Sequence, residues 1–98
     1  MHARVAKFEG AEPEKLQESI DNIKERSASG PPEGVPAKSF LLLANHEEGN
    51  TLAISLFDNE DDLKQGHETL NSMSPPIEGG MGKRASVELY EVAVQLEA

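Results

Sequence analysis

KSFLLLANHEEGNTLAISLFD, residues 38–58, is the stretch whose reading decides the fold. Phe40, Leu41, Leu42, Leu43 and Ala44 run without a polar interruption through a first strand, Ser39 to Asn45. Thr51 to Phe57 form a second strand, whose apolar run only Ser55 interrupts. Between them Glu47, Glu48, Gly49 and Asn50 supply turn chemistry, since Gly and Asn accept positive φ cheaply and the charges keep the tip in water. Strands joined by so short a turn are antiparallel, and an antiparallel strand with one wet face alternates apolar with polar residues. These two do not alternate. Successive side chains of a strand point to opposite sides, so both faces of the hairpin are expected to be covered. Helices of the same chain can cover one face, and a second copy of the chain is the simplest cover for the other.

Ninety-eight residues make one domain, taken here as 1–98. A chain of this size buries only about 60–65% of the surface its unfolded form exposes, so a shared interface would add substantially to its stability. Nine basic residues against eighteen acidic ones give a net charge of −9, which argues against nucleic acid or an anionic membrane as partner. Cysteine is absent, which removes disulfides, thiolate catalysis and cysteine-based zinc sites. The first ten residues, MHARVAKFEG, lack the apolar centre of a signal peptide, and no apolar run approaches the ~20 residues of a membrane span. A cytoplasmic location is the resulting expectation.

The remaining elements follow from periodicity and breakers. His2 to Glu9 read as a strand with Ala3 and Val5 on one face and Arg4, Ala6 and Phe8 on the other. Pro13 sits where a helix best tolerates proline, and Glu14 suits the positive end of its dipole. A helix from Pro13 to Ser27 carries Leu16, Ile20 and Ile23 as a narrow apolar stripe. SASGPPEGVPA, residues 27–37, holds three prolines and two glycines and reads as a long surface loop, either plain or rimming a cleft or interface. Asp58 or Asn59 can cap a second helix, Glu60 to Ser72, whose inward stripe is Leu63, His67 and Leu70. PPIEGGMGK, residues 75–83, is a glycine-rich connection, and a last strand is predicted from Arg84 to Leu96. Val87 and Leu89 share one face of that strand, and Tyr90, Val92 and Val94 share the other. The order is β-α-β-β-α-β, which predicts a ferredoxin-like α+β fold with a four-stranded antiparallel sheet and both helices on one face.

That order, the stretch PEGVPAKSFLLLANHEEGNTLAISLFDNEDDL and the MSPP after the second helix resemble the dimeric α+β barrel superfamily, in particular its small single-domain members grouped with the antibiotic biosynthesis monooxygenases. The resemblance spans nearly the whole chain and is specific for fold rather than for activity. It implies a homodimer in which two sheets meet face to face as a barrel, with a cleft between helices and sheet in each subunit. It also implies a group that holds cofactor-independent oxygenases of polycyclic phenols, haem-degrading enzymes and many proteins of unassigned activity.

Three residues are candidates for chemistry. His67 places an ionisable ring at an inward position of the second helix, where it can orient a ligand, take a proton or ligate haem iron. The plainer alternative is a half-buried histidine bonded to backbone. Asn71 lies one turn later and can stand beside it, or simply face solvent. Tyr90, the lone tyrosine, can hydrogen-bond a phenol or reach a carboxylate. Haem-degrading relatives are expected to add a tryptophan and an asparagine, and this chain has no tryptophan and no asparagine on its first strand. Three phenylalanines make thin walls for a flat polycyclic substrate. Arg4 is expected to pair with Glu88 or Glu91 on the last strand, or else to grip an anionic ligand.

Other patterns fail on context. His46-Glu47-Glu48 starts like a zinc-protease helix but lacks the second histidine and lies in a turn. Gly79, Gly80, Gly82 and Lys83 resemble a phosphate loop, yet a strand follows and Arg84 stands where Ser or Thr belongs. Glu60, Asp61 and Asp62 suit a helix N-terminus. The expectation is a homodimer holding a small, mostly apolar molecule in a helix–sheet cleft beside His67, with no metal or organic cofactor. Its possible activity is that of a cofactor-independent monooxygenase. A non-catalytic binding or structural dimer is the alternative, and a haem-binding monooxygenase the third.

Overall fold

A computed structural model describes residues 1–28, 30, 31, 34–72 and 82–96. The elements are β1 (His2–Glu9), α1 (Pro13–Ser27), β2 (Ser39–Asn45), β3 (Asn50–Phe57), α2 (Glu60–Ser72) and β4 (Lys83–Glu91). The strands form one antiparallel sheet in the order β2-β3-β1-β4, the arrangement expected of a ferredoxin-like α+β fold. Most of the predicted connection 75–83 lies outside the described residues, as do Gly79 and Gly80 of the phosphate-loop comparison.

The two helices begin by different local means: α1 has no side-chain cap and opens on a proline, whereas α2 is capped by a side chain. Pro13 opens α1 without needing a donor partner. At α2 the Asn59 side-chain oxygen accepts from the Asp62 N–H at 2.8 Å, and the Asn59 amide donates to the Asp62 carboxylate at 3.3 Å. In the hairpin the Asn45 carbonyl accepts from the Gly49 N–H at 2.9 Å. Gly49 has φ +70°, and a Cβ there would come within 2.5 Å of the Ala11 carbonyl oxygen, so both conformation and space require glycine.

The register sorts the side chains into two faces. His2, Arg4, Ala6 and Phe8 of β1 stand opposite Phe57, Ser55, Ala53 and Thr51 of β3 on the helix side. Among the described residues two separate apolar clusters form there. Leu16 and Ala11 pack with Phe8, Ile20, Ile23 and Leu42 under α1. Phe57, Leu63 and Val35 pack with Ala37 and Leu70 under α2. Gly66 of α2 lies directly over Phe57, since a Cβ there would fall 2.5 Å from the phenyl ring. Between the clusters the floor is small or polar: Ala6, Ala53, Ser55 and Arg4.

The opposite face carries Ala3, Val5 and Lys7 of β1, Leu52, Ile54 and Leu56 of β3, Leu41 and Leu43 of β2, and Ser86, Glu88 and Tyr90 of β4. Neither α1 nor α2 lies over it, and Leu41 and Leu43 remain about half exposed, at 51% and 48%.

The last strand differs from expectation. It ends at Glu91 rather than Leu96, because β1, its one pairing strand among the described residues, begins at His2 and the final bond is from the Val92 N–H to the Met1 carbonyl at 2.9 Å. Val92 and Val94 therefore lie beyond the strand, and Val94 and Leu96 are exposed. A β-propensity run without a neighbouring strand cannot continue a ladder.

Candidate functional site

The polar centre of the helix side is built around Arg4. Its side chain points from β1 toward α2 and is only 5% exposed. Its Nε donates to His67 Nδ1 at 3.2 Å, and its Nη2 donates to Asn71 Oδ1 at 3.1 Å. His67 and Asn71 stand one turn apart on α2, so one face of that helix presents both to the strand beneath. Burial, and after it the charge of Arg84, lower the Arg4 pKa from the ordinary arginine value.

Arg84 reaches the same amide oxygen from the other side, donating from Nη1 to Asn71 Oδ1 at 2.9 Å. A β-bulge makes this possible. Lys7 pairs with Ser86, yet Phe8 pairs with Arg84, so one extra residue, Ala85, is accommodated in β4. Regular alternation from Val87, which faces the helices, would send Arg84 to the open face. The bulge returns it to the helix side, the re-aiming that bulges accomplish beside functional sites.

The hydrogen bonds also assign protons. His67 Nδ1 accepts from Arg4, so the neutral ring carries its proton on Nε2. Asn71 Oδ1 accepts from both arginines, so its amide nitrogen faces His67 Nε2 at 3.2 Å. Two donors thus meet there without an acceptor. Reversing the Asn71 amide would instead aim its N–H groups at two guanidinium groups. The cluster is rich in donors, and its two acceptors are already used.

Tyr90 stands apart from His67 and Asn71. It pairs with Ala3 on the open face, where its hydroxyl donates to Glu88. That hydrogen bond foremost, then burial and the carboxylate's charge, raise the Tyr90 pKa above 10.0. The sheet separates it from the Arg4 cluster. The expected ion pair of Arg4 with Glu88 or Glu91 is absent: Glu88 sits opposite Val5 on the other face, and Leu89 is the register partner of Arg4.

An open groove of about 270 Å³ lies at the end of the sheet, lined by His2, Glu60, Leu63, Lys64, Leu89, Tyr90 and Glu91. It does not include His67. On the helix side, Ser19 Oγ and Asn22 Oδ1 of α1 and Thr51 Oγ1 of β3 are buried without a hydrogen-bond partner among the described residues. No group of three or more His, Asp or Glu side chains suited to a metal ion occurs among the described residues. No helix among the described residues is long and apolar enough to cross a membrane. No family model matches the chain, and no curated protein matches it.

Sequence reasoning places His67 and Asn71 together and names Arg4 as a residue that could grip an anion, but it assigns Arg4 a carboxylate partner on β4 and misses Arg84. The signal for Arg4 was its position on the Ala6–Phe8 face of β1. Nothing in the sequence marks the bulge that directs Arg84.

Proposed function

We propose that the chain is a homodimeric small-molecule-binding protein that takes its ligand between helices and sheet, at Arg4, His67 and Asn71. The observation that carries this reading is the buried Arg4, bonded to both α2 residues over a floor of small side chains. A guanidinium is costly to bury without a counter-charge, and an apolar residue there would join the two clusters into one core, so the retained arginine supports a role in recognition. The open sheet face, with Val5, Leu41, Leu43, Leu52, Ile54 and Leu56, supports pairing with a second copy.

The resemblance to the antibiotic biosynthesis monooxygenases extends the proposal to cofactor-independent oxygenation, in which a substrate held as its anion reacts with dioxygen. The donors at His67 Nε2, Asn71 and the arginines suit the anion. A free base is less well served, because His67 Nδ1 is occupied by Arg4 and Tyr90 lies across the sheet. That same observation favours the second reading, a dimer that binds without catalysis. Haem ligation through His67 would require breaking its bond to Arg4 or displacing Asn71 from Nε2.

Native mass spectrometry of the purified protein tests both parts. The expected result is a two-chain ion, with a small molecule retained under gentle activation and released from a His67→Ala, Asn71→Ala variant. A ligand retained equally by that variant would place binding elsewhere, and a single-chain ion at micromolar concentration would remove the dimer.

A further inference from the structure

We propose that Arg4 and Arg84 are a two-point anchor for an oxyanion, the carboxylate or phosphate group of a small ligand, which seats against Asn71 and the Nε2–H of His67. The inference deepens the reading above and rests on it, by naming the chemical group the cleft selects.

Charge accounting comes first. Acidic residues outnumber basic ones two to one in this chain, eighteen to nine. Lys7, Lys15, Lys38 and Lys64 each find a carboxylate at 3.2–3.7 Å, although their side chains are substantially exposed. Arg4, far more buried, pairs with no carboxylate among the described residues, and neither does Arg84. Both instead donate to one neutral oxygen, Asn71 Oδ1. A shared amide acceptor offsets little of two positive charges held side by side, whereas an anion offsets both and can accept from each planar fork.

Geometry adds to this. The bulge at Ala85 turns Arg84 toward the helices against the ordinary alternation of its strand, so the two like charges are brought together by a specific backbone feature. At the same place His67 Nε2–H and the Asn71 amide nitrogen confront each other at 3.2 Å as two donors. One anionic oxygen seated there accepts from both and removes the mismatch. Of the acids on β4, Glu88 is committed to Tyr90 on the other face, and Glu91, opposite His2, forms no ion pair with either arginine.

The test is a titration followed by NMR of the nitrogen-15-labelled full chain at low ionic strength, with sodium benzoate, inorganic phosphate and neutral benzamide as probes. The resonances read are Arg4 Nε–H and the Asn71 side-chain amide. Saturable shifts with benzoate, phosphate or both are expected. Benzoate alone marks a carboxylate ligand and phosphate alone a phosphate ester. Arg84→Met should weaken that binding at least about tenfold, and Arg84→Lys, which keeps charge but not the fork, should recover part of it. Arg84 is exposed, so its replacement leaves the core intact.

Anion binding that Arg84→Met leaves unchanged overturns the anchor. Shifts by benzamide as large as those by benzoate overturn the anionic selectivity while leaving a cleft ligand in place. Silence of these resonances to every probe at millimolar concentration removes both the anchor and the cleft reading.

Discussion

Replacing Leu41 with Glu tests the sheet-face dimer most directly. The chain exposes 6587 Å². A folded monomer of 10.6 kDa is expected to expose about 5,500 Å², so the chain exposes roughly 1,100 Å² more than expected, to which the open sheet face and residues 92–96 beyond β4 both contribute. Leu41 is 51% exposed and sits among Leu43, Ile54 and Leu52 on the uncovered face. Fully burying a leucine side chain stabilises by about 1.5–3 kcal/mol, so burying its remaining half contributes about 1 kcal/mol per copy, or about 2 kcal/mol in a symmetric pair. Glu forfeits that and brings two carboxylates toward a shared apolar surface, so dissociation should strengthen by roughly 30-fold or more. Sedimentation velocity over a concentration series reads the effect. Gln65→Glu on the exposed side of α2 serves as a charge-matched control. Each copy carries −9, so added salt should tighten the parent dimer. A parent protein that stays monomeric at tens of micromolar, or a Leu41→Glu variant that dimerises as the parent does, refutes the reasoning.

Gly66→Ala should lower stability in urea unfolding by about 1 kcal/mol, because a Cβ 2.5 Å from the buried Phe57 ring overpacks the cluster by about 1–3 kcal/mol and outweighs the ~1 kcal/mol that alanine gains in a helix. A stabilised variant would show that α2 does not rest on Phe57. Asn59→Ala should cost about 1 kcal/mol by the same measurement, through loss of the bond to the Asp62 N–H. Tyr90 should ionise above pH 10.0 in an absorbance titration that no tryptophan obscures, and Glu88→Gln should bring the midpoint down. Because the folded-state pKa is raised, the stabilisation from this hydrogen bond is complete below the unfolded pKa and is lost as pH rises through the folded one. A midpoint that Glu88→Gln leaves unmoved would remove the hydroxyl–carboxylate bond.

The elements whose ends are set locally were legible in the sequence. Pro13 and Asn59 start their helices through chemistry within a turn, and the bounds predicted for both helices and for β2 match the structure. Features set by register were not legible. Arg4 was assigned a partner on the adjacent strand, yet which residue stands opposite it depends on pairing, and a one-residue slip exchanges the two faces. The bulge adds such a slip between Lys7 and Phe8, where no proline or glycine marks it. Val92 and Val94 have strand-forming side chains, but strand length was limited by where β1 begins, a property of another part of the chain. Gly66 reads as a flaw in a helix until Phe57 is found beneath it.

Fold and proposed site share one physical cause, the unusual sorting of side chains across the two central strands. A sheet covered by its own helices ordinarily places its bulkiest aliphatic residues under them. Here Val5, Leu52, Ile54 and Leu56 occupy the uncovered face, while Arg4, Ala6, Ala53 and Ser55 occupy the centre of the helix side. Phe8 and Phe57 anchor the two helices at opposite ends, so the helices are held without filling the middle. Each half of this pattern would weaken an isolated monomer: the open face leaves apolar area in water, and the polar centre divides the core in two. Together they are consistent if the open face meets a second copy and the interrupted core is reserved for a ligand. The two propositions can be separated experimentally. Arg4→Met, which removes the polar centre and leaves Leu41 and Ile54 in place, should abolish oxyanion binding and keep the dimer. Loss of the dimer in a folded Arg4→Met protein would mean that the two faces depend on each other, and the division of labour across the sheet would be wrong.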